Sequence, residues 1–318
     1  MSKPHIVLLD AHCMNPGDLD WTPIDKISDC IYYPHTHPED VVGRAQSCEI
    51  LVVNKTVIDA ETMSQLPWLK CICVTATGYN NIDIAAAKAK GITVSNVSGY
   101  STPSVGQHVF ALLLELTNNV GLHHHTVKQN QWSQNRDFCY WKKPVIELPG
   151  KTMGIYGMGK IGQEIAKIAS AFDMNIIYNN RSVKPFPNME QVDIDTLLEK
   201  SDVLCLAASL SQANFQIIDR FTLRQMKPTA FLINTSRGDL IDEADLVTAL
   251  EHNQIAGAAL DVLAQEPPRE NHPLTQLSNC IVTPHIAWAS GESRKRLLKE
   301  TAENIKAFMR GMPINVVS

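Results

Sequence analysis

The stretch 152-TMGIYGMGKIGQEIAKIASAF-172 decides the fold of this chain, because it joins three glycines to the signals of a strand and a helix. Thr152–Tyr156 is a short apolar run typical of a buried strand, and the last dozen residues place apolar side chains at helical spacing. Between them Gly157, Gly159 and Gly162 form the pattern G-x-G-x-x-G. In a strand, turn and helix this pattern predicts a dinucleotide-binding loop in an α/β protein.

Each glycine of this loop has its own physical role. Gly157 allows the tight turn, Gly159 leaves room for a pyrophosphate against the backbone, and Gly162 lets the helix pack close to the strand. The helix N-terminus adds amide donors and the positive end of a dipole. A glycine-rich turn without a ligand is the alternative interpretation. On the dinucleotide interpretation, the whole loop is expected to contact the cofactor: Gly157, Met158, Gly159, Lys160, Ile161 and Gly162.

The residues after the next predicted strand bear on which dinucleotide is bound. An NAD site usually has an acidic residue about 20 residues further on, which binds the ribose 2′-hydroxyl. Here the sequence reads YNNRS, in which the neutral Asn180 is followed by Arg181 and Ser182. A 2′-phosphate is therefore not repelled, and Arg181 can bind it bidentately with Ser182 as a further donor. The pattern favours NADP(H); the alternative is NAD(H), with Asn180 on a plain 2′-hydroxyl and Arg181 in solvent.

Strands alternate with helices on both sides of the loop. The earlier strands are HIVLLD, EILVVN, LKCICVTA and GITVSNV, and the later ones are TMGIY, NIIYN, DVLCLA, TAFLIN, IAGAALD and CIVT. This alternation predicts doubly wound parallel sheets. With 318 residues, 44% of them hydrophobic, the chain is long enough for two domains. Between the two blocks, residues 101–130 have the apolar spacing of one long helix.

Composition excludes several classes of partner. Twenty-eight Lys and Arg against 33 Asp and Glu give a net charge of -5 without a block of like charges, so no nucleic acid and no membrane surface is expected as a partner. The N-terminal apolar run is short and broken by Asp10, which argues against a signal peptide or a membrane span. The expected partners are a small molecule and a second copy of the chain.

The cysteines and clustered histidines are interpreted as ordinary side chains. The eight cysteines lack C-x-x-C spacing and are expected to be reduced thiols in the cytoplasm, with Cys71 and Cys73 on opposite faces of a strand. The run 123–125 consists of three histidines, but consecutive helical residues point about 100° apart and cannot share a metal ion. His35 and His37 lie among prolines without an obvious third ligand. No metal site is expected.

Three polar residues follow successive predicted strands: Arg237 in INTSRGDLID, Glu266 in LDVLAQEPP and His285 in TPHIAWAS. Ligands of open α/β sheets bind outside the carboxyl ends of the strands, so these side chains can converge over one cofactor. A guanidinium matches the carboxylate and carbonyl oxygens of a 2-keto acid, and an imidazole exchanges a proton near neutral pH. The carboxylate can hold the imidazole ring. A buried ion pair beside a structural histidine would explain the same residues.

These segments, together with VTATGYNNIDIAAAKAKGITVSNVSGYSTPSVGQHVFALLLEL, resemble the D-isomer-specific 2-hydroxyacid dehydrogenases over nearly the whole chain. The resemblance implies that Arg237 binds substrate, that Glu266 orients His285, and that His285 is the acid and base of the reaction. It also implies that Asp261 lies near the nicotinamide. The remaining expected cofactor contacts are Ala207, Ala208, Thr235 and Ser236.

The resemblance also implies where the substrate binds. Backbone amides around Thr77 and Gly78 are expected to hold the substrate carboxylate, and Asn54, on a second loop of the substrate side, is also expected to contact the substrate. His285 and Arg237 complete the predicted substrate contacts.

The domain organisation follows from the same resemblance. A flavodoxin-like substrate domain, residues 1–99 plus 290–318, is expected to contain an inserted Rossmann-type dinucleotide-binding domain, residues 100–289. Residues 103–150 would form the dimerisation arm of a homodimer. Trp141 in that arm is expected to reach toward the partner's active site.

Within the family, FCYWKKPVIELPGKTMGIYG and PHIAWAS are most similar to the glycerate dehydrogenase or hydroxypyruvate reductase branch. Hydroxypyruvate is therefore the expected substrate, with glyoxylate second, although a dehydrogenase of another 2-hydroxy acid fits the same residues. A different class also stays open, namely a dinucleotide-sensing regulator similar to the C-terminal-binding-protein corepressors, which retain the same three catalytic residues.

Overall fold

The computed structural model describes residues 5–318, and the chain divides into two compact units. The first is Met1–Ser101 with Ala289–Ser318, and the second is Thr102–Trp288. The sequence predicts the junctions after residues 99 and 289. The first four residues of the N-terminal segment and of the predicted first domain lie outside the described residues.

The first unit is built on a five-stranded parallel sheet. Its strands are β1 (Ile6–Leu8), β2 (Cys30–Tyr32), β3 (Ile50–Val53), β4 (Cys71–Val74) and β5 (Thr93–Ser95). Its helices before the insertion are α1 (Ala11–Met14), α2 (Thr22–Asp25), α3 (Val41–Ala45), α4 (Ala60–Ser64) and α5 (Ile84–Ala89). The strand order is β2-β1-β3-β4-β5, the flavodoxin-like order. The sequence did not predict β2, because this edge strand is partly exposed and lacks a continuous apolar run.

The central strands of this sheet are buried on both faces, as parallel sheets require. Every residue of β3 and β4 is buried. Within β4 the Sγ atoms of Cys71 and Cys73 lie 3.8 Å apart. The expectation that these cysteines face opposite sides is wrong, because residues two apart in a strand share a face.

The second unit is built on a seven-stranded parallel sheet. Its strands are β6 (Thr152–Tyr156), β7 (Asn175–Asn179), β8 (Glu190–Gln191), β9 (Val203–Leu206), β10 (Phe231–Asn234), β11 (Gly257–Leu260) and β12 (Cys280–Val282). Its helices are α6 (Thr102–Asn118), α7 (Val120–Lys128), α8 (Lys160–Ala171), α9 (Ile194–Lys200), α10 (Arg220–Gln225), α11 (Glu243–Glu251) and α12 (Pro273–Gln276). The order β8-β7-β6-β9-β10-β11-β12 is the Rossmann order with one more strand at the far edge. The predicted fold class is confirmed; in this unit the sequence pattern missed the two-residue strand β8.

The segment before the glycine loop is two helices rather than one. The prediction of a continuous helix over 101–130 is wrong, because the chain breaks at Asn119, which has a φ of 51° between α6 and α7. Asn tolerates this left-handed conformation better than most residues, since its short polar side chain can bond locally.

The last helix returns the chain to the first unit. Helix α13 (Gly291–Met309) is capped by Ser290, whose hydroxyl accepts a hydrogen bond from the amide of Ser293. The amide side chain of Asn304 donates to the carbonyl of Asn96 at 2.9 Å. In the described part of the chain, residues 5–318, no helix is both long and apolar enough to cross a membrane.

Candidate active site

The candidate site of the second unit lies at the carboxyl edge of its sheet. Because all seven strands are parallel, the residues that directly follow them share this edge. The predicted residues occupy these positions: Gly157 after β6, Asn180 after β7, Ala207 after β9, Thr235 and Arg237 after β10, Asp261 after β11, and His285 shortly after β12.

The glycine loop has the geometry that a pyrophosphate needs. Gly157 has a φ of 101°, and a Cβ there would lie 2.6 Å from the Cα of Ala208. A Cβ on Gly162 would lie 2.2 Å from the carbonyl oxygen of Gly157, so both positions require close approach. A Cβ on Gly159, by contrast, would meet no atom within 4 Å. The first helical bond of α8 runs from the amide of Gln163 to Gly159, which leaves the preceding amides without a helical acceptor and available to a ligand.

The ends of the neighbouring strands lie beside the glycine loop. The amide of Ala207 donates to the carbonyl of Tyr156 at 2.8 Å, and the hydroxyl of Ser236 donates to the carbonyl of Leu206 at 2.7 Å. The hydroxyl oxygen of Thr235 is buried and has no hydrogen-bond partner among residues 5–318. Such orphaned polar atoms are uncommon in folded proteins and indicate a missing polar partner. The open face at Gly159 and the free hydroxyl of Thr235 fit a bound dinucleotide.

The loop after β7 carries the residues that bear on the 2′-position. The side-chain amide of Asn180 donates to the carbonyl of Ser182 at 3.0 Å, so it folds back onto its own loop. Arg181 and Ser182 have exposed side chains. The side chain of Arg181 is therefore open to solvent, as the binding of a phosphate requires.

His285 and Glu266 form the closest ionisable pair of the site. Nδ1 of His285 lies 2.6 Å from Oε2 of Glu266, and Oε1 of Glu266 accepts from the amide of Leu263 at 3.1 Å. Because a carboxylate only accepts, Nδ1 carries the proton of this bond, and Nε2 is left for a substrate. His285 itself has a φ of 54°, a left-handed conformation that is rare for a residue with a side chain.

The buried carboxylate of Asp261 holds the turn that carries His285. It accepts from the hydroxyl of Thr283 at 2.6 Å and from the amides of Ile286 and Ala287 at 2.9 and 2.8 Å. The amide of His285 donates to the backbone carbonyl of Asp261 at 2.9 Å. Bonds on both sides of His285 fix the left-handed residue between them. The sequence predicts Asp261 beside the nicotinamide, and the structure shows its carboxylate engaged by this turn.

His108 on α6 adds a further contact to this carboxylate. Its Nε2 lies 3.4 Å from Oδ1 of Asp261 and 3.1 Å from the hydroxyl of Thr283. Burial opposes ionisation of Asp261, but the hydrogen bonds from His108, Thr283 and the two amides outweigh it and hold the pKa of Asp261 below its usual value. Asp261 is therefore a charged anchor for the turn.

Arg237 lies on a loop that packs against the loop of Glu266. Asn234, a fully buried residue at the end of β10, donates to the carbonyl of Arg237 at 2.8 Å and accepts from the amide of Ser236 at 2.9 Å. A Cβ on Gly238 would lie 2.0 Å from the carbonyl carbon of Leu263. This close approach brings the loop of Arg237 and the loop of Glu266 together.

Sequence reasoning missed the residues that support this site. Glu243, at the start of α11, accepts from the amide of Ala264 at 2.8 Å and lies 3.2 Å from Nε2 of His272. Asn234 and His108 are the other supporting residues that were not predicted. Asn234 could have been found from the sequence, because it is a polar residue at the end of an apolar strand. His108 and Glu243 could not, because their partners are distant in sequence.

The first unit has its own loops at the carboxyl edge of its sheet. Asn54 is buried, and its side-chain amide donates to the carbonyl of Thr75 at 2.7 Å. The carboxylate of Asp10 accepts from three successive amides, those of Asn54, Lys55 and Thr56, at 2.8, 2.6 and 2.8 Å. The side chain of Asn54 therefore supports its loop from inside the unit.

Thr77 and Gly78 follow β4 in the next loop along this edge. The hydroxyl of Thr77 donates to the carbonyl of Val97 at 3.0 Å, and the side chain of Asn96 donates to the carbonyl of Thr77 at 2.7 Å. Thr77 is exposed and Gly78 half-buried, so their backbone lies at the surface. Residues 5–318 contain no group of three or more His, Cys, Asp or Glu side chains arranged to hold a metal ion.

Comparisons with known proteins agree with this geometry. Residues 110–287 match the family described as D-isomer specific 2-hydroxyacid dehydrogenase, NAD binding domain. The chain is 42% identical over 320 residues to a hydroxypyruvate reductase of Blautia hydrogenotrophica, covering 98% of this chain and 99% of that protein. It is 42% identical over 282 residues to a glycerate dehydrogenase of Methylorubrum extorquens, covering 88% of each chain.

Among solved structures, the chain is similar to an acyclic imino acid reductase, Bsp5, in complex with NADPH and D-Arg. The TM-score is 0.88 and the identity 34%, and the match covers 99% of this chain and all of the other. The predicted resemblance to the glycerate dehydrogenase and hydroxypyruvate reductase branch is confirmed by the two sequence relatives. The chain is an oxidoreductase that belongs to the D-isomer-specific 2-hydroxyacid dehydrogenase family.

Proposed function

We propose that this protein reduces hydroxypyruvate to D-glycerate with NADPH, with Arg237, Glu266 and His285 as its catalytic residues. The observation that carries the proposal is the 2.6 Å pair of His285 and Glu266 at the carboxyl edge of the sheet, beside the loop of Arg237. The two relatives with 42% identity, named for hydroxypyruvate and glycerate, support the substrate. Glyoxylate, which lacks the hydroxymethyl group, is the second substrate.

Each catalytic residue has a role that follows from its chemistry. Arg237 binds the carboxylate and carbonyl oxygens of the keto acid through its fork of donors. Glu266 keeps the proton of His285 on Nδ1, and a protonated Nε2 then donates to the carbonyl oxygen as it becomes a hydroxyl. The nicotinamide, when bound, supplies the hydride. In the oxidation direction the same Nε2 accepts the hydroxyl proton.

We assign the second unit to the cofactor and the first to the substrate. The cofactor contacts are those of the glycine loop, Asn180 to Ser182, Ala207, Ala208, Thr235 and Ser236. We assign the substrate carboxylate to the exposed backbone at Thr77 and Gly78. Asn54, which bonds to Thr75 inside the first unit, supports the neighbouring loop.

The direct test is oxidation of NADPH or NADH, followed by absorbance with purified protein, across hydroxypyruvate, glyoxylate, pyruvate and a bulkier 2-keto acid. We expect the highest kcat/KM with hydroxypyruvate. A mixture of pyruvate and methylamine, which forms a 2-imino acid, tests the reaction of the reductase that the chain resembles. Cofactor binding without turnover of any of these compounds would contradict the proposal and favour a dinucleotide sensor.

NADPH is the proposed cofactor, and Arg181→Ala is the variant that tests it. Loss of a charge-assisted bond to the 2′-phosphate is expected to raise the KM for NADPH about tenfold or more. The KM for NADH should not change, because its ribose carries no phosphate. The support is the absence of a carboxylate in YNNRS and the NADPH complex of the similar reductase. A wild-type preference for NADH, or an equal effect on both cofactors, would contradict it.

We also propose that the segment after α6 is the contact of a homodimer, and that Trp141 acts at the partner's site. Within the second unit this segment forms an apolar groove of about 340 Å³ lined by Val127, Trp132, Tyr140, Trp141 and Val145 among others. The side chain of Trp141 in this groove is 68% exposed.

Sedimentation and kinetics test this proposal together. The wild-type protein is expected at twice the chain mass of 35.3 kDa. Trp141→Ala should weaken the dimer and raise the KM for hydroxypyruvate. Trp68→Ala is the matched control, since Trp68 in the first unit is 62% exposed and far along the chain from the arm. A monomeric wild type, or a Trp141→Ala variant unchanged in both measurements, would refute the assignment.

We place this activity in the cytoplasm. All eight cysteines carry free thiols, and two of them, Cys13 and Cys139, are exposed. Free exposed thiols are typical of reducing compartments.

A further inference from the structure

The short strand β8 presents one side chain, Gln191, to the loop that follows β7. The Nε2 of Gln191 donates to the carbonyl of Asn180 at 3.1 Å and to the carbonyl of Ser182 at 3.3 Å. Its Oε1 accepts from the amide of Lys184 at 3.1 Å. The side-chain carboxamide of Gln191 thus makes three hydrogen bonds to the backbone of residues 180–184.

A second group holds the far end of the same loop. The hydroxyl of Tyr178, a fully buried residue of β7, donates to the carbonyl of Lys184 at 2.7 Å. Strand β8 is itself fixed in the sheet, because Tyr178 pairs with Gln191 in the register of β7 and β8. The loop from Asn180 to Lys184 is therefore anchored to the sheet, although it has no regular structure of its own.

The anchored backbone carries the exposed cations. Arg181, Ser182 and Lys184 all have exposed side chains. A guanidinium binds a phosphate bidentately only when its plane is correctly placed. If the loop that carries Arg181 were flexible, the entropy lost in ordering it on binding would reduce the affinity for the phosphate. The placement of Arg181 thus depends on Gln191, which lies ten positions later in the chain.

We propose that Gln191 is a positioning residue for cofactor choice, which holds the 180–184 loop in the conformation that receives the adenosine 2′-phosphate. This inference rests on the proposed use of NADPH. Gln191 does not touch the phosphate; it orders the backbone that presents Arg181 and Ser182. The expected consequence is selective: contacts to the 2′-phosphate weaken without Gln191, whereas contacts to the pyrophosphate at the glycine loop do not.

Binding of two nucleotide fragments isolates this effect from catalysis. Adenosine 2′,5′-bisphosphate carries the 2′-phosphate, and adenosine 5′-monophosphate lacks it. By calorimetry, Gln191→Ala is expected to lower the affinity for the bisphosphate about five- to tenfold, as the loss of one or two neutral hydrogen bonds would. The affinity for the monophosphate should stay at the wild-type value. The ratio of kcat/KM for NADPH to that for NADH should fall by the same factor.

Two further variants keep the test decisive. Gln191→Met keeps the length of the side chain but removes its hydrogen bonds, and it should behave like Gln191→Ala even if the smaller residue disturbs β8. Glu190→Ala is the matched control, because Glu190 is the other residue of β8 and its side chain is exposed. This control should leave both fragment affinities unchanged.

The outcomes separate this inference from the cofactor assignment. If wild type prefers the bisphosphate and both Gln191 variants keep that preference, the positioning role is wrong and the use of NADPH stands. If both variants lose affinity for the two fragments equally, Gln191 has only a general structural role. If wild type binds the two fragments equally well, the 2′-phosphate site does not exist and both proposals fail.

Discussion

His285→Asn is expected to lower kcat for hydroxypyruvate reduction by about 10²- to 10⁴-fold, the range that a positioned acid or base contributes. Asn fits the left-handed backbone of this turn better than most residues, so the substitution should not disturb the loop. What it removes is the imidazole that donates the proton. The affinity for NADPH, measured by quenching of protein fluorescence, should stay near that of wild type, because the glycine loop is untouched.

Two further variants test the role of Glu266 and provide a control. Glu266→Gln keeps a hydrogen-bond acceptor near Nδ1 but removes the charge, so its kcat should lie between those of wild type and His285→Asn. His252→Asn, at the exposed end of α11, is the control and should be fully active. If His285→Asn turned over at the wild-type rate, another group would have to supply the proton.

Asp261→Asn should lower kcat about 10²-fold, since a displacement of a catalytic group by about 1 Å can cost that much. The carboxylate accepts three hydrogen bonds from the turn around His285. An amide in its place would aim an NH₂ group at backbone donors or leave them unsatisfied, and the left-handed conformation of His285 would lose its support. The melting temperature should fall as well, because unsatisfied buried donors cost about 1–3 kcal/mol each.

Because the pKa of Asp261 is lowered, the direction in which pH changes the stability of the fold can be predicted. A carboxyl group whose folded pKa lies below its unfolded value stabilises the fold above the unfolded pKa, and this contribution is lost as pH falls through the folded pKa. Wild type should therefore lose more stability than Asp261→Asn on acidification in urea-unfolding experiments. Asp195→Asn, at an exposed position of α9, provides the control. Parallel pH curves for wild type and Asp261→Asn would show that Asp261 is not the anchor described here.

The features that were predicted from the sequence are those that depend on local sequence patterns. The glycine loop, the parallel sheets and the polar residues at strand ends all follow from short segments, and so did the family resemblance. Strand β8 was missed because two residues carry no periodicity. The break at Asn119 was missed because the apolar spacing continues across it.

Long-range partners explain the remaining misses. The role of Asp261 as the anchor of the turn around His285 was not predicted, because its carboxylate accepts from residues more than twenty positions away. Gln191 and Asn180 are closer in sequence, but their hydrogen bond depends on the register in which β8 pairs with β7. No spacing rule gives these contacts, because they depend on how loops and helices pack after the sheet has formed.

The split of the first unit into two chain segments has a consequence for biosynthesis. On the ribosome, β1 to β5 emerge first, but Val94 and Asn96 bond to residues near the other end of the chain: the amide of Val317 donates to Val94, and the amide of Asn96 donates to Asn315. The inserted unit is complete once Trp288 has emerged, whereas the first unit must wait for α13. The unit that begins earlier in the chain is therefore finished last, and the edge of its sheet at β5 stays unpaired until the residues around Asn315 and Val317 have been made.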